Sequence, residues 1–294
     1  MAIRLNTFSI VAYDPNEQSW GVAVASKFMA AAAVVSWARA GAGAIATQAL
    51  AKMGYGPDGL AMLANGQSAQ ATLDALLASD VGRESRQVSI VDSHGRVAVH
   101  TGAECHEWAG HVIGEGFACQ GNILTGEHVV QAMAAAYKHA SGELSDRLLA
   151  ALIAGDKAGG DKRGKQAAGL LVVKPNGSYG GDTDRYVDLR VDDAADPVTK
   201  LAELVEMHHL FFGTPKPEDL LPITPEIATE LQTYLVRGGY MEGEPTHTWD
   251  TLAQNAFWAL VGNENLEERW SLDHSPDKID RVALAHLRRR FKRE

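Results

Sequence analysis

Polar and apolar positions alternate from the start of the chain. Leu5, Thr7 and Ser9 share one face, and Phe8, Ile10 and Ala12 the other. A period of two predicts a strand, closed by the turn chemistry of Asp14, Pro15 and Asn16. Residues 20–26 answer it as the second strand of a hairpin, with small residues suited to a sheet covered on both faces. An Ala- and Val-rich stretch follows, and its second half, 43–48, reads as a buried strand. Residues 57–64 show helical spacing and stop at Asn65-Gly66, a helix-ending pair. Residues 68–77 open on a Ser cap, with Leu73, Leu76 and Leu77 on one face. Residues 87–91 and 96–100 form a hairpin across a turn at 92–95. A short strand at 117–120, helices at 126–139 and 144–154, strands at 168–173 and 186–191, and a helix at 197–212 complete the pattern. Strands come in groups with helices inserted in pairs. That order implies sheet packed on sheet with helices outside, an α+β fold. The strict strand–helix alternation of a doubly wound fold is absent.

The texture changes after residue 213. Pro215, Pro217 and Pro222 mark a linker, and beyond it only helical segments are expected, at 225–236, 249–261 and 279–291. The expected division is 1–213 and 214–294. Tyr234, Tyr240, Trp249, Phe257 and Trp258 recur at intervals that suit the core of a small helical module, which needs large side chains to be stable.

A formal net charge of −10 argues against a general nucleic-acid binder, since phosphate neutralisation needs a clustered basic surface. The one dense basic run, Arg288 to Arg290 with Lys292 and Arg293, reads as the solvated face of a terminal helix. No stretch reaches the ~18 uninterrupted apolar residues of a membrane span. The first residues lack a long apolar leader, so a cytoplasmic protein with reduced Cys105 and Cys119 is expected. Cys105, His106, His111 and Cys119 crowd one region without metal-ligand spacing, so neither a metal nor another cofactor is expected.

Several ordered motifs carry a resemblance. They are residues 7–12 (TFSIVA), 20–28 (WGVAVASKF), 37–41 (WARAG), 46–49 (ATQA), 120–122 (QGN), 158–166 (AGGDKRGKQ) and 186–193 (YVDLRVDD). Together they resemble the bacterial family called domain of unknown function 1028, over residues 6–212. That resemblance implies a four-layer αββα sandwich of the N-terminal-nucleophile hydrolase type. The tail, through Ile223-Thr-Pro-Glu226, Trp249-Asp250 and residues 262–269, resembles a small module described as peptidoglycan-binding.

Enzymes of the implied type use a Thr, Ser or Cys at the head of a core strand. The hydroxyl or thiol attacks an amide, and the residue's own α-amine is the base. Thr7 matches that position. Residues 1–6 precede it, so its nitrogen becomes an amine only after cleavage between Asn6 and Thr7. Ser9, on the same face, is the alternative nucleophile. Lys27 is expected to end the second strand and to lower the nucleophile's pKa or hold a substrate carboxylate. Asn122 is the expected oxyanion donor, with Gly121 permitting close backbone approach. Arg39, Thr47, Gln48 and Gln120 are expected to line the same pocket. The loop 156–166, with Asp161 among its substrate-site residues, is expected to bind an anionic substrate group through backbone N–H groups and Arg163. The expected activity is an amidohydrolase acting on a small amide or peptide-like bond, with a non-catalytic binding or assembly protein as the alternative. The expected partners are a small-molecule substrate and a second copy in a homo-oligomer, with no nucleic acid and no membrane.

Overall fold

The computed structural model describes residues 7–292. Leu5, the Asn6–Thr7 junction and Arg293 lie wholly or partly outside that span. The chain divides into two compact units between Val205 and Glu206, ahead of the expected division.

In the first unit, β1 (Thr7–Asp14) and β2 (Ser19–Ser26) form the expected hairpin, with Thr7 opposite Ser26 and Tyr13 opposite Trp20. They are the central pair of a six-stranded sheet. Its other members are β7 (Gly110–Gly114), β8 (Phe117–Asn122), β9 (Ala167–Val173) and β10 (Arg185–Val191), and its order is β10-β9-β2-β1-β8-β7. A second sheet of four strands has the order β3-β4-β5-β6. Its strands are β3 (Ser36–Arg39), β4 (Gly43–Ala49), β5 (Arg86–Asp92) and β6 (Val97–Thr101). Every pairing between these strands is antiparallel.

The layers follow from the period of two. On β1, Phe8, Ile10 and Ala12 enter a core with Val130, Met133, Leu148 and Leu152. Those partners come from α4 (His128–His139) and α5 (Leu144–Lys157). Val11, with Val22 and Val24, faces the other way, onto Ala44, Ala46 and Val91 of the second sheet. That sheet's outer residues Ile45, Val88 and Ile90 pack on Tyr55, Leu63, Leu73 and Leu76. These lie on α2 (Tyr55–Ala64) and α3 (Ala69–Ala78). The unit is therefore an αββα sandwich. Ser68 caps α3 as expected, its side chain accepting from Ala71 N–H.

In this unit, one helix and two strands were not foreseen. The short α1 (Ala31–Val35), the edge strand β3 and the edge strand β7 are each five residues or fewer. Their pattern is too brief to carry a period. β7 is also bounded by two glycines and alternates only between half-buried and exposed, as an edge strand does.

The second unit takes the end of α6 (Pro197–Phe212) and adds α7 (Pro225–Arg237), α8 (Thr251–Asn263) and α9 (Arg281–Arg290). The expected proline-rich linker is irregular over 213–216 and structured at its end. Residues 220–222 form β11 (Leu220–Pro222), paired antiparallel with β12 (Lys278–Asp280). Proline suits such a two-stranded edge, where an N–H can be absent. Phe257, Leu231, Leu235, Trp270 and Leu287 make the core, with Tyr240 and Trp249 packed against it. Trp258, in contrast, is 40% exposed. Arg269 is buried against Asp280 at 2.9 Å and donates to the carbonyls of His209 and Leu210. Among the described residues no helix is long and apolar enough to cross a membrane.

One buried carboxylate ties the outer helices to the second sheet. Asp80 accepts from Tyr55 Oη at 2.8 Å, Arg86 Nε at 2.9 Å and Gly82 N–H at 3.0 Å. The Arg86 hydrogen bond, with those of Tyr55 and Gly82, holds its carboxyl far below the usual carboxylate range. Asp80→Ala is expected to lower stability by about 3 kcal/mol, since it strands Arg86 and the Tyr55 hydroxyl. The carboxyl's pKa is depressed by folding, so its contribution is complete above about pH 4 and fades as the pH falls. Denaturant unfolding of wild type and variant at pH 7 and pH 3 measures both effects.

Candidate functional site

The space between the sheets has two ends. At one, Trp20 stacks on Tyr13 with ring centroids 4.9 Å apart, and its Nε1 donates to Asp92 O. At the other, the inward residues turn polar. Thr7 and Ser9 of β1, Gln48 of β4, Gln87 of β5, and Gln120 and Asn122 of β8 are all at most 2% exposed. Antiparallel register brings them together. Thr7 lies opposite Ser26 on one side and Asn122 on the other, Ser9 opposite Gln120, and Gln48 opposite Gln87.

Hydrogen bonds make this cluster one network with a fixed polarity. Gln87 Nε2 has two backbone carbonyls in reach, Gly121 O at 2.9 Å and Gly110 O at 3.2 Å, and also Thr101 Oγ1 at 3.0 Å. A carbonyl can only accept, so the NH2 end of Gln87 must face them. Its Oε1 therefore accepts from Gln48 Nε2 at 2.9 Å and from Asn122 Nδ2 at 3.0 Å. Gln48 also donates to Thr7 O at 3.1 Å, which leaves its own Oε1 to accept from Ser9 Oγ at 2.7 Å. The Ser9 proton is thus committed to an amide oxygen, which is no base. Ser9 is held as a framework hydroxyl rather than as an activated nucleophile. The Thr7 hydroxyl donates to Ser26 Oγ at 3.2 Å. Asn122 keeps a second N–H beyond the one given to Gln87.

The loop 156–166 closes over this end. Lys162 N–H donates to Ile123 O, Gln166 N–H to Ser26 O, and Leu124 bridges to Asp161. Gly159, Gly160 and Gly164 take φ of 108°, 50° and 110°, the left-handed region that suits glycine. Asp161 accepts from Lys27 N–H at 2.8 Å and from the Arg163 guanidinium at 2.9 Å and 3.2 Å. Arg163 and Asp161 are therefore a closed pair that shapes the loop, not an open anion site. Lys27 follows the strand instead of ending it, since β2 stops at Ser26. Its ammonium donates to Lys165 O at 3.1 Å, with two protons left over among the described residues.

Other expected pocket residues lie elsewhere. Thr47 shares the outward face of β4 with Ile45, and its hydroxyl reaches Lys52 O at 3.5 Å. Arg39 is exposed and pairs with Gly43, five residues along β4 from Gln48, about 17 Å at strand rise. Gly121 serves packing on the helix side. A Cβ there would run into the Leu124 side chain, so its missing side chain does not face the cluster. Cys119 also faces the helices, and burial pushes its thiol far up, out of nucleophile range.

Gln87, Ser26 and Ser89 were missed. The signal for two of them was present: Gln87 and Ser89 form one face of a strand whose other face is Val88 and Ile90. In a sheet covered on both sides, such a polar face marks a buried polar layer. Among the described residues, Ser89 Oγ and Gln120 Oε1 are buried without a hydrogen-bond partner.

Two substitutions separate the framework from its orphan. Gln87→Leu leaves Gln48 and Asn122 without their shared acceptor and is expected to cost about 3 kcal/mol. Ser89→Ala removes an unsatisfied hydroxyl and is expected to be neutral or to stabilise by up to ~1 kcal/mol. Gln87→Glu would aim a carboxylate at the carbonyls of Gly110 and Gly121. That placement raises its pKa, so the variant loses stability increasingly as the pH rises above about 4. Denaturation midpoints across pH 4–8 measure all three.

The family described as "Family of unknown function (DUF1028)" matches residues 7–201, and the one described as "Putative peptidoglycan binding domain" matches residues 211–287. The crystal structure of protein SPO2555 from Silicibacter pomeroyi, a DUF1028 protein, is similar at 30% identity with a TM-score of 0.63. The match covers 69% of this chain and 89% of that one. No curated protein matches the chain. The αββα unit that builds the polar cluster is the matched region, and the chain belongs to the DUF1028 family.

Proposed function

We propose that the first unit is an amidohydrolase of the N-terminal-nucleophile type with Thr7 as nucleophile. The observation that carries this reading is the place of Thr7 at the head of a central strand, between Ser26 and Asn122 in register, at the polar end of an αββα sandwich.

Hydrolysis of the Asn6–Thr7 peptide bond frees the α-amine, whose ordinary pKa near 8 suits a base at neutral pH. The Thr7 hydroxyl then attacks the substrate's amide carbon, and its proton passes to that amine. The second N–H of Asn122 and nearby backbone N–H groups hold the developing oxyanion. Collapse breaks the C–N bond, the ammonium protonates the leaving nitrogen, and an ester remains on Thr7. Water, deprotonated by the same amine, hydrolyses the ester and restores the hydroxyl. Ser26 orients Thr7, and Gln48 and Gln87 orient Asn122. The unused protons of Lys27 suit a carboxylate on a small amide or peptide-like substrate.

Intact-mass measurement is the first test. The mature chain is expected to begin at Thr7, and Thr7→Ala to retain the residues before it. A wild-type chain that keeps those residues sinks the autoprocessed enzyme and leaves a binding protein that uses the same cleft. With processing established, a panel of small amides hydrolysed by wild type and not by Asn122→Ala identifies the reaction.

A further inference from the structure

The second unit holds a groove that the reading above does not use. It lies between α7 and the end of α9, with a volume of about 560 Å³, within the ~300–1,000 Å³ of small-ligand sites. Its floor is aromatic, with Tyr234 stacked on Phe291 at 5.2 Å and an interplanar angle of 13°. Its rim carries Arg237, Arg288, Arg289 and Lys292 against one carboxylate, Glu230.

That carboxylate is already committed. Glu230 receives Arg288 through two hydrogen bonds of 2.7 Å and 2.8 Å and the Tyr234 hydroxyl at 2.6 Å. The Arg288 hydrogen bonds, first among the causes, hold the Glu230 pKa below its ordinary value. Among the described residues, Arg237 donates only to a neutral carbonyl, that of Phe291, at 3.0 Å. Arg289 and Lys292 have no carboxylate partner among the ion pairs of the described residues, and both are exposed. Three cations thus converge on one groove in a chain whose formal net charge is −10. A solvated helix face spreads its charge outward. Here Arg237 ends one helix, Arg289 lies on another and Lys292 just beyond it, and they border a concave, apolar floor, which weakens the local screening of charge.

We infer that this groove binds a small multivalent oxyanion, a ligand carrying two or more carboxylates or phosphates. Arg237 and Arg289 supply guanidinium forks and Lys292 a point charge. The Arg288–Glu230 pair fixes the wall between them. The inference is independent of any chemistry at Thr7.

Calorimetric titration of the full chain with citrate and with pyrophosphate at low salt tests it. Saturable one-to-one binding of at least one probe is expected. The probe that binds more tightly tells carboxylate from phosphate. Arg289→Glu with Lys292→Glu is expected to weaken that binding at least about tenfold, and Lys138→Glu, on an exposed helix position of the first unit, to leave it unchanged. Circular dichroism and unfolding midpoints of each variant keep a folding defect distinct from a lost site. No saturable binding by either probe overturns the proposal. So does an equal loss in Lys138→Glu, which would mean diffuse attraction instead of a site.

Discussion

The side-chain amide of Gln87 is the contact on which the polar end of the sandwich depends. It spans the gap between the sheets, from β5 to the backbone of β7 and β8. Two carbonyls dictate which way it points, and each later orientation follows from that one. Gln48 must donate to it, Asn122 must donate to it, and Ser9 must give its proton to Gln48. Among side chains this buried, a hydrogen-bond chain with one allowed direction is rigid, because reversing any member strands a buried donor or acceptor. The same logic explains why Ser9 and Thr7, two residues apart on one face, differ. Ser9 is locked to an amide, whereas Thr7 meets another hydroxyl.

The scaffold around this network divides its labour by strand face. β1 sends Phe8 and Ile10 into the helices and Thr7, Ser9 and Val11 into the gap between the sheets. The apolar contacts of Val11, Val22 and Val24 with the second sheet hold the two sheets together. The polar contacts at the other end set the alignment of one sheet against the other. The turn between β1 and β2 is anchored as well, through Asp14 to Arg147 at 2.7 Å and Glu17 to the N–H of Leu144. Both ends of β1 are therefore tied to different layers.

Much of this was legible in the sequence. Long alternating runs such as 7–12 and 87–91 gave their strands and faces directly, and Ser68 gave its cap. The layer order followed from helices arriving in pairs. Thr47 and Arg39 were misplaced for a physical reason. Adjacent residues on a strand point to opposite sides, so Thr47 could not join Gln48, and Arg39 belongs to an edge strand too short to show a period. Gln87 went unread because a polar residue on a strand ordinarily signals solvent. Only the knowledge that both faces are covered turns it into a buried one. Arg163 looked available because its partner is two residues away, and a loop of glycines was needed to fold it back onto Asp161.

The buried cluster is built from hydroxyls and carboxamides alone. Thr7, Ser9, Gln48, Gln87, Gln120 and Asn122 carry no charge across the ordinary pH range. His111, which reaches Gln87 through Thr101 Oγ1 at 3.0 Å, has its pKa lowered by burial and then by His100. At neutral pH that end of the chain is uncharged too. The wall is in effect a solvent that cannot be titrated. It offers dipoles of set direction and neither stores nor releases protons. A proton inventory of that end of the sandwich therefore takes no contribution from the side chains of the cluster.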